Sequence, residues 1–412
     1  MSNWKDSVDQ IRSMVENHHT FRRSCLNMVA AENVTSPMVE HIVGSDFSRR
    51  YSSPGVYAGD TYFLPAYELA LSLLRTLFHV EYINIKPATG NLTVIAIVTA
   101  LAKPGDTIMK VADDHGGYPI RLAKWAGIEI LPLPFDFDRL NVCTEKACEQ
   151  IRKVRPKLVL LGASEFLYPH PVRELAQAAH EVGAVLAYDG SHVMGLIAGS
   201  QFQDPITEGA DVLYGSTHKT FPGPQRGMIA TNNREIMERI GEVLSPPPFL
   251  LSCYHLNSTV ALGIAATEML AFGKDYANQI VRNSQALAHG LLNQGVPIFT
   301  SKYGCSQSHQ VILDNGGFVS PLGVQYKQRM EACGILADAV VRIGTQEQTR
   351  LGMGESEMHQ VAKLIADAIL ERRPQAEIRS DVRDMARRFQ TLHFSFEEEK
   401  ACYDFMAQRV KS

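Results

Sequence analysis

Charge excess is the first thing this 412-residue chain lacks. Its 40 Lys and Arg against 44 Asp and Glu leave a formal net charge of −4, which offers no electrostatic ground for a nucleic-acid or membrane partner. Disulfide potential is also small. Seven cysteines, an odd number without a C-x-x-C pair, argue against a disulfide framework or a zinc cluster and for a reducing, cytoplasmic setting. The opening MSNWKDSVDQIRSMVENHH has no apolar core of a secretory signal. Apolar runs such as LTVIAIVTALA are too short to cross a bilayer. Low-complexity tracts and internal repeats are absent. What is left, 45% hydrophobic and 20% charged residues, is the composition of a soluble globular enzyme at a length that favours two domains.

Periodicity then organises the chain. Val8, Ile11, Val15 and His18 or His19 fall at helical spacing in an N-terminal arm. From about Tyr82 onward, short apolar runs recur at DTIMKVA, IEILPLP, KLVLLGAS, AVLAYDG, DVLYGS and RGMIAT, separated by helical segments. One of these, PVRELAQAAHEVG, puts Val172, Leu175, Ala176, Ala179 and Val182 on one face, with Pro171 in its first turn. Strands alternating with helices predict an α/β domain with a mainly parallel sheet covered on both sides. The pattern fades near Leu251–Ala265. A long helix over about Val260–Asn293, a strand at HQVILD and a terminal helix with Met358, Val361, Ala362, Ile365 and Ile369 predict a smaller α+β domain. The expected divisions are an arm over 1–50, a large domain over 51–265 and a small one over 266–412. SPPPFLLSCYH reads equally as a rigid loop over a pocket or as an interdomain connection.

In parallel sheets, ligands collect at the carboxyl ends of strands. Ser164, Asp189 with His192, and His218 with Lys219 all fall there. A lysine ending a buried strand has its pKa lowered by desolvation, and the neutral amine is a nucleophile suited to a Schiff base. A buried strand-end carboxylate such as Asp189 needs a cation, which a protonated pyridine nitrogen would supply. Taken singly, Asp189 reads as a turn cap and His192 as an ordinary strand-end histidine. Thr89, Gly90 and Asn91 form a small turn ahead of an apolar helix, where free amides and the helix dipole favour a phosphate. A phosphate turn, an acid and an amine in this order meet the needs of pyridoxal 5'-phosphate, with Lys219 as the Schiff-base lysine.

The segments NMVAAENVTSP, KPATGN, AYDGSHVMGLIAG, GSTHKTFPGPQ and VRIGTQEQTRLGM resemble the serine hydroxymethyltransferase family over nearly the whole chain. The resemblance is to its archaeal-type branch and related threonine transaldolases. It implies a fold-type I pyridoxal phosphate enzyme and a homodimer, with a tetramer not separable from sequence. By the same resemblance Lys219 forms the Schiff base and Asp189 meets the ring nitrogen. Ser164 and His192 lie near the phenolic oxygen, and Thr89, Gly90, Asn91, Ser216 and His218 lie around the phosphate. Arg342 holds the substrate carboxylate with Arg350 in support, and Tyr51 and Tyr57 join the catalytic region, often across the dimer interface. The bland alternatives are surface arginines and interface aromatics, Tyr62 included.

Three departures stand out. The family's acid–base glutamate is matched by Ser52 or Ser53, with Glu32 and Asp60 nearby in sequence. Ala31 replaces a serine that touches substrate. Tyr118 replaces a histidine that stacks on the cofactor ring, although a tyrosine also stacks. None of the three touches the anchor set. The expectation is therefore cleavage and formation of the Cα–Cβ bond of β-hydroxy amino acids, as a threonine-type aldolase or transaldolase acting on an amino acid and an aldehyde. His192, His218 and Tyr51 are the candidate proton handlers. The alternative is an orthodox hydroxymethyltransferase using tetrahydrofolate or tetrahydromethanopterin. Racemisation, transamination and a catalytically silent scaffold are the further readings.

Overall fold

The computed structural model describes residues 4–52, 56–245, 250–314 and 320–397. All six apolar runs are strands, and Tyr82–Asn84 joins them in one seven-stranded sheet. In chain order these are β1 (Tyr82–Asn84), β2 (Thr107–Lys110), β3 (Glu129–Pro132), β4 (Leu158–Leu161), β5 (Val185–Asp189), β6 (Val212–Ser216) and β7 (Gly227–Thr231). Their spatial order is β1-β7-β6-β5-β4-β2-β3. The pairs β2–β3, β2–β4, β4–β5 and β5–β6 are parallel, whereas β7 runs antiparallel to both β1 and β6. Strands β4, β6 and β7 are buried at every position, as a sheet covered on both faces requires. Each wholly buried Val or Leu there contributes on the order of 1.5–3 kcal/mol. Edge strand β3 is the most exposed of the seven, with exposed Glu129 and Pro132 at its ends, a pattern that discourages pairing with another chain.

Helix Val172–Glu181 buries Val172, Leu175, Ala176 and Ala179, the face its spacing predicted. Helix Leu256–Asn293 runs 38 residues without a break, so the division expected after Ala265 falls inside it. Its first two thirds pack Leu262, Ala265, Met269 and Tyr276 into the sheet domain's core. Its last turns send Leu287 and Leu291 into a second core with Val311, Ile335, Met358 and Ile365. By length and composition this helix would suffice to cross a membrane; 56% of the relevant window is buried inside the protein. That second core also takes in Leu26 and Met28, because strand Leu26–Asn27 pairs with Ile335–Leu336. The arm's helix, Trp4–Arg23, buries no residue. The helix expected to be terminal, Glu355–Ile369, is followed by another, Gln375–Arg388. Ser53 and the Pro246–Phe249 part of the proline-rich stretch lie outside the described residues.

Candidate functional site

Strand ends β5 and β6 bring the predicted cluster together. Asp189 is the last residue of β5, and its Oδ1 accepts the Ser191 amide at 2.9 Å. Burial raises its pKa, which the Ser191 bond and Lys219 partly offset. Lys219 follows β6, and burial lowers its pKa to about 8. Asp189 pulls that value up and Arg342 pushes it further down. The three groups therefore share one electrostatic neighbourhood.

A cradle lies beside them. Thr89 caps helix Gly90–Leu101, its Oγ1 accepting the Leu92 amide at 3.4 Å. The first amides of a helix have no partner within it, and the dipole favours an anion there. A Cβ at Gly90 would lie 2.2 Å from Ser216 Oγ and 3.2 Å from the Ser216 amide nitrogen, so glycine lets the turn and the β6 end close on each other without displacing Ser216. Ser216 in turn donates its amide to Ser191 Oγ at 2.9 Å. Tyr118 donates its hydroxyl to Asn91 Oδ1 at 3.2 Å. Its pKa is raised by burial and by Asp189, which places the phenol between the turn and the acid.

His192 is buried, and its pKa lies well below 6.5, chiefly through desolvation. Gln310 fixes its tautomer. The Gln310 Oε1 accepts the Phe166 amide at 2.8 Å, so its Nε2 is the donor to Ser164 O at 3.0 Å and to His192 Nδ1 at 3.0 Å. The proton of neutral His192 is therefore on Nε2. His309 stacks on it at 5.7 Å. His218 is held neutral by burial, its pKa lowered to about 4. Its Nδ1 is buried with no hydrogen-bond partner among the described residues.

Arg342 reaches the same region from the second domain. Its Nη1 donates to Ser164 O at 2.8 Å, and its Nε and Nη2 donate to Asp338 Oδ2 at 2.9 and 2.7 Å. Arg350 is fully buried and ion-paired with Glu268 of the long helix at 2.7 Å, which removes the surface alternative for it. Tyr51 and Tyr57 lie on the surface, their rings 5.4 Å apart, around an open pocket of about 500 Å³ with Arg50, Asp60 and Phe63. Within this chain that pocket is not lined by Lys219 or Arg342. Ser52 donates to Asp60 at 3.2 Å, while Glu32 is paired with Arg22 at 2.6 Å.

Sequence reasoning missed Gln310, His309, Asp338 and Asn33. Asn33 donates to Lys219 O at 2.6 Å and to the Tyr276 hydroxyl at 2.9 Å. An asparagine inside an apolar segment was a visible signal. Gln310 sat unremarked in a short strand.

The residues present fit pyridoxal phosphate. The glycine-lined cradle takes an anion, the buried acid calls for a cation, and the amine is partly neutral near physiological pH. Neutral histidines leave hydrogen-bonding capacity toward a ring. Among the described residues no three His, Cys, Asp or Glu are placed to hold a metal ion.

Comparison with known proteins agrees with this geometry. The profile of the serine hydroxymethyltransferase family matches residues 4–365. Serine hydroxymethyltransferase of Korarchaeum cryptofilum is 39% identical, over 95% of this chain and 98% of that protein. The Methanopyrus kandleri serine hydroxymethyltransferase is 40% identical, over 95% and 96%. The crystal structure of L-threonine transaldolase from Pseudomonas fluorescens superposes with a TM-score of 0.90 at 28% identity, covering 100% of this chain and 99% of that one.

Proposed function

The chain belongs to the serine hydroxymethyltransferase family, and from that premise we propose that it cleaves and forms the Cα–Cβ bond of β-hydroxy-α-amino acids as a threonine-type aldolase or transaldolase. It is a fold-type I enzyme and its cofactor is pyridoxal phosphate. When bound, that group supplies a carbonyl that condenses with amines and a ring that accepts the electron pair of the broken bond.

The chain's own residues do the rest. The turn Thr89–Asn91 and Ser216 hold the phosphate. Asp189 would pair with the ring nitrogen and so help keep that ring electron-poor. Lys219 presents its Nζ as a nucleophile, since a pKa of about 8 leaves a substantial neutral fraction at neutral pH. Arg342 would bind the substrate's α-carboxylate and fix the amino acid's orientation in the site. His192 donates from Nε2 and cannot take a proton there. His218 is neutral and its Nδ1 has no partner among the described residues, which supports it over His192 as the acceptor of the substrate hydroxyl proton.

The observation carrying this reading is the Lys219–Asp189–Arg342 neighbourhood combined with a serine where the family's acid–base glutamate is matched. Without that carboxyl, one-carbon transfer to a pterin loses its proton handler while the aldol step keeps every group it needs. One observation favours the orthodox hydroxymethyltransferase. The Asp60 carboxylate stands beside Ser52 and Tyr51, in the region where the missing glutamate is matched. In a homodimer, which we also propose, the partner's copy of this surface would complete the site.

Incubation with L-threonine and a second aldehyde, with and without tetrahydrofolate or tetrahydromethanopterin, separates the two. The expected result is a new β-hydroxy amino acid at equal rates in both arms. Strict pterin dependence with serine as the donor would overturn the proposal.

A further inference from the structure

The arginine assigned to the substrate carboxylate is already held on three sides by this chain. Asp338 Oδ2 accepts from Nε at 2.9 Å and Nη2 at 2.7 Å, and Ser164 O accepts from Nη1 at 2.8 Å. The other Asp338 oxygen, Oδ1, accepts the Arg342 backbone amide at 3.2 Å. One carboxylate thus grips both the main chain and the side chain of the same arginine.

The turn between them is unusual. Val341 donates its amide to Asp338 O at 3.1 Å and is wholly buried. Its φ is +59°, a left-handed conformation that a β-branched side chain strongly disfavours. Such strain persists only where surrounding contacts over-determine it, and it concentrates at functional sites. Here the over-determining contacts are those of Asp338. Arg342 is also tied into strand pairing with Ile312 immediately after the turn.

Donor arithmetic shows what the grip leaves free. A guanidinium has five N–H groups, and three are used. Asp338 occupies the Nε–Nη2 edge, so the hydrogens remaining among the described residues sit one on Nη1 and one on Nη2. A carboxylate docking end-on needs that pair. Glu165 adds to the setting: it lines a cavity with Phe135, Phe299, Val340, Asp114 and Asp314 and interacts with both Arg342 and Asp338.

We propose that Asp338 is a positioning residue for substrate binding. By holding the Nε–Nη2 edge and the backbone of Arg342, it keeps the terminal edge of the guanidinium aimed at the amino acid's α-carboxylate. The inference rests on the reading of Arg342 as the carboxylate binder. It removes rotational freedom that an unheld arginine would lose on binding.

The test uses holoenzyme, with KM and kcat for L-threonine and a glycine titration followed by the cofactor absorbance. In D338N, KM and the glycine Kd rise about tenfold or more while kcat stays within about threefold, the pattern of lost uniform binding. D338E restores most of the loss. D338S keeps an acceptor for the Arg342 amide but cannot reach the guanidinium, and it behaves like D338N; it serves if D338N does not fold. An unchanged Kd in D338N and D338S, or a kcat loss without a KM change, overturns the inference. R342K separates the two readings. If it leaves the glycine Kd unchanged, the assignment of Arg342 fails and this inference with it. If R342K weakens glycine and D338N does not, only the inference about Asp338 fails.

Discussion

Asp189→Asn in the apoprotein tests the electrostatics of the site at their source. Lys219 has its pKa lowered from 10.5 to about 8, first by burial, with Asp189 opposing the shift and Arg342 adding to it. At pH 7.5 an ordinary lysine is neutral in roughly one molecule in a thousand, whereas a pKa of about 8 makes roughly a quarter neutral. The amine gains a few hundredfold in nucleophile concentration before any cofactor arrives. The sign for stability follows from the same shift. The folded pKa lies below the unfolded one, so burying the ammonium destabilises the fold by about 3 kcal/mol below pH 8, and the penalty fades as pH rises toward 10.5. In D189N the attraction that raised the pKa is gone, so the Lys219 midpoint falls further and its reactivity at pH 7 increases. Rates of acylation by a small neutral reagent, measured from pH 6 to 11 and quantified on the Lys219 peptide by mass spectrometry, give both midpoints. A wild-type midpoint above 10, or a D189N midpoint higher than wild type, would refute the reasoning. Reconstituted D189N should nonetheless lose most of its turnover, because the ring nitrogen then lacks its anion.

Two further outcomes test the scaffold. Glu268→Ala leaves the fully buried Arg350 guanidinium without its counter-charge, a loss of about 3–5 kcal/mol; the double variant E268L/R350M should recover most of it in denaturant titrations, and an equally unstable double variant would contradict the account. Gly90→Ala places a methyl 2.2 Å from Ser216 Oγ, so the cofactor dissociation constant should rise about tenfold or more, by a steric cost of at least 1.4 kcal/mol.

Local patterns carried far in this chain. Central strands covered on both faces read as unbroken apolar runs, and with the edge strand Glu129–Pro132 six of the seven were legible from their residues. Strand-end placement then brought Asp189, His192, His218 and Lys219 to one rim, since parallel topology collects carboxyl ends together. Gly90 was legible as a phosphate-turn glycine, but its closest constraint, Ser216, lies 126 positions away in the chain.

Contacts between distant segments were decided only by the folded chain. Leu26 belongs to the second core, and the long helix crosses from one core to the other, because burial depends on what packs opposite a residue and not on its neighbours in sequence. Arg350, expected in support of Arg342, pairs with Glu268, 82 positions earlier. Gln310 sets the proton of His192 across 118 positions. Sequence determined which chemistry was on hand, through residue types at the ends of periodic elements. Tertiary structure decided which groups face one another, and hence which arginine is free to bind, which histidine nitrogen holds a proton and how far the lysine's pKa falls. Desolvation and charge pairing act over a few ångströms in space, a distance that spacing along the chain does not encode.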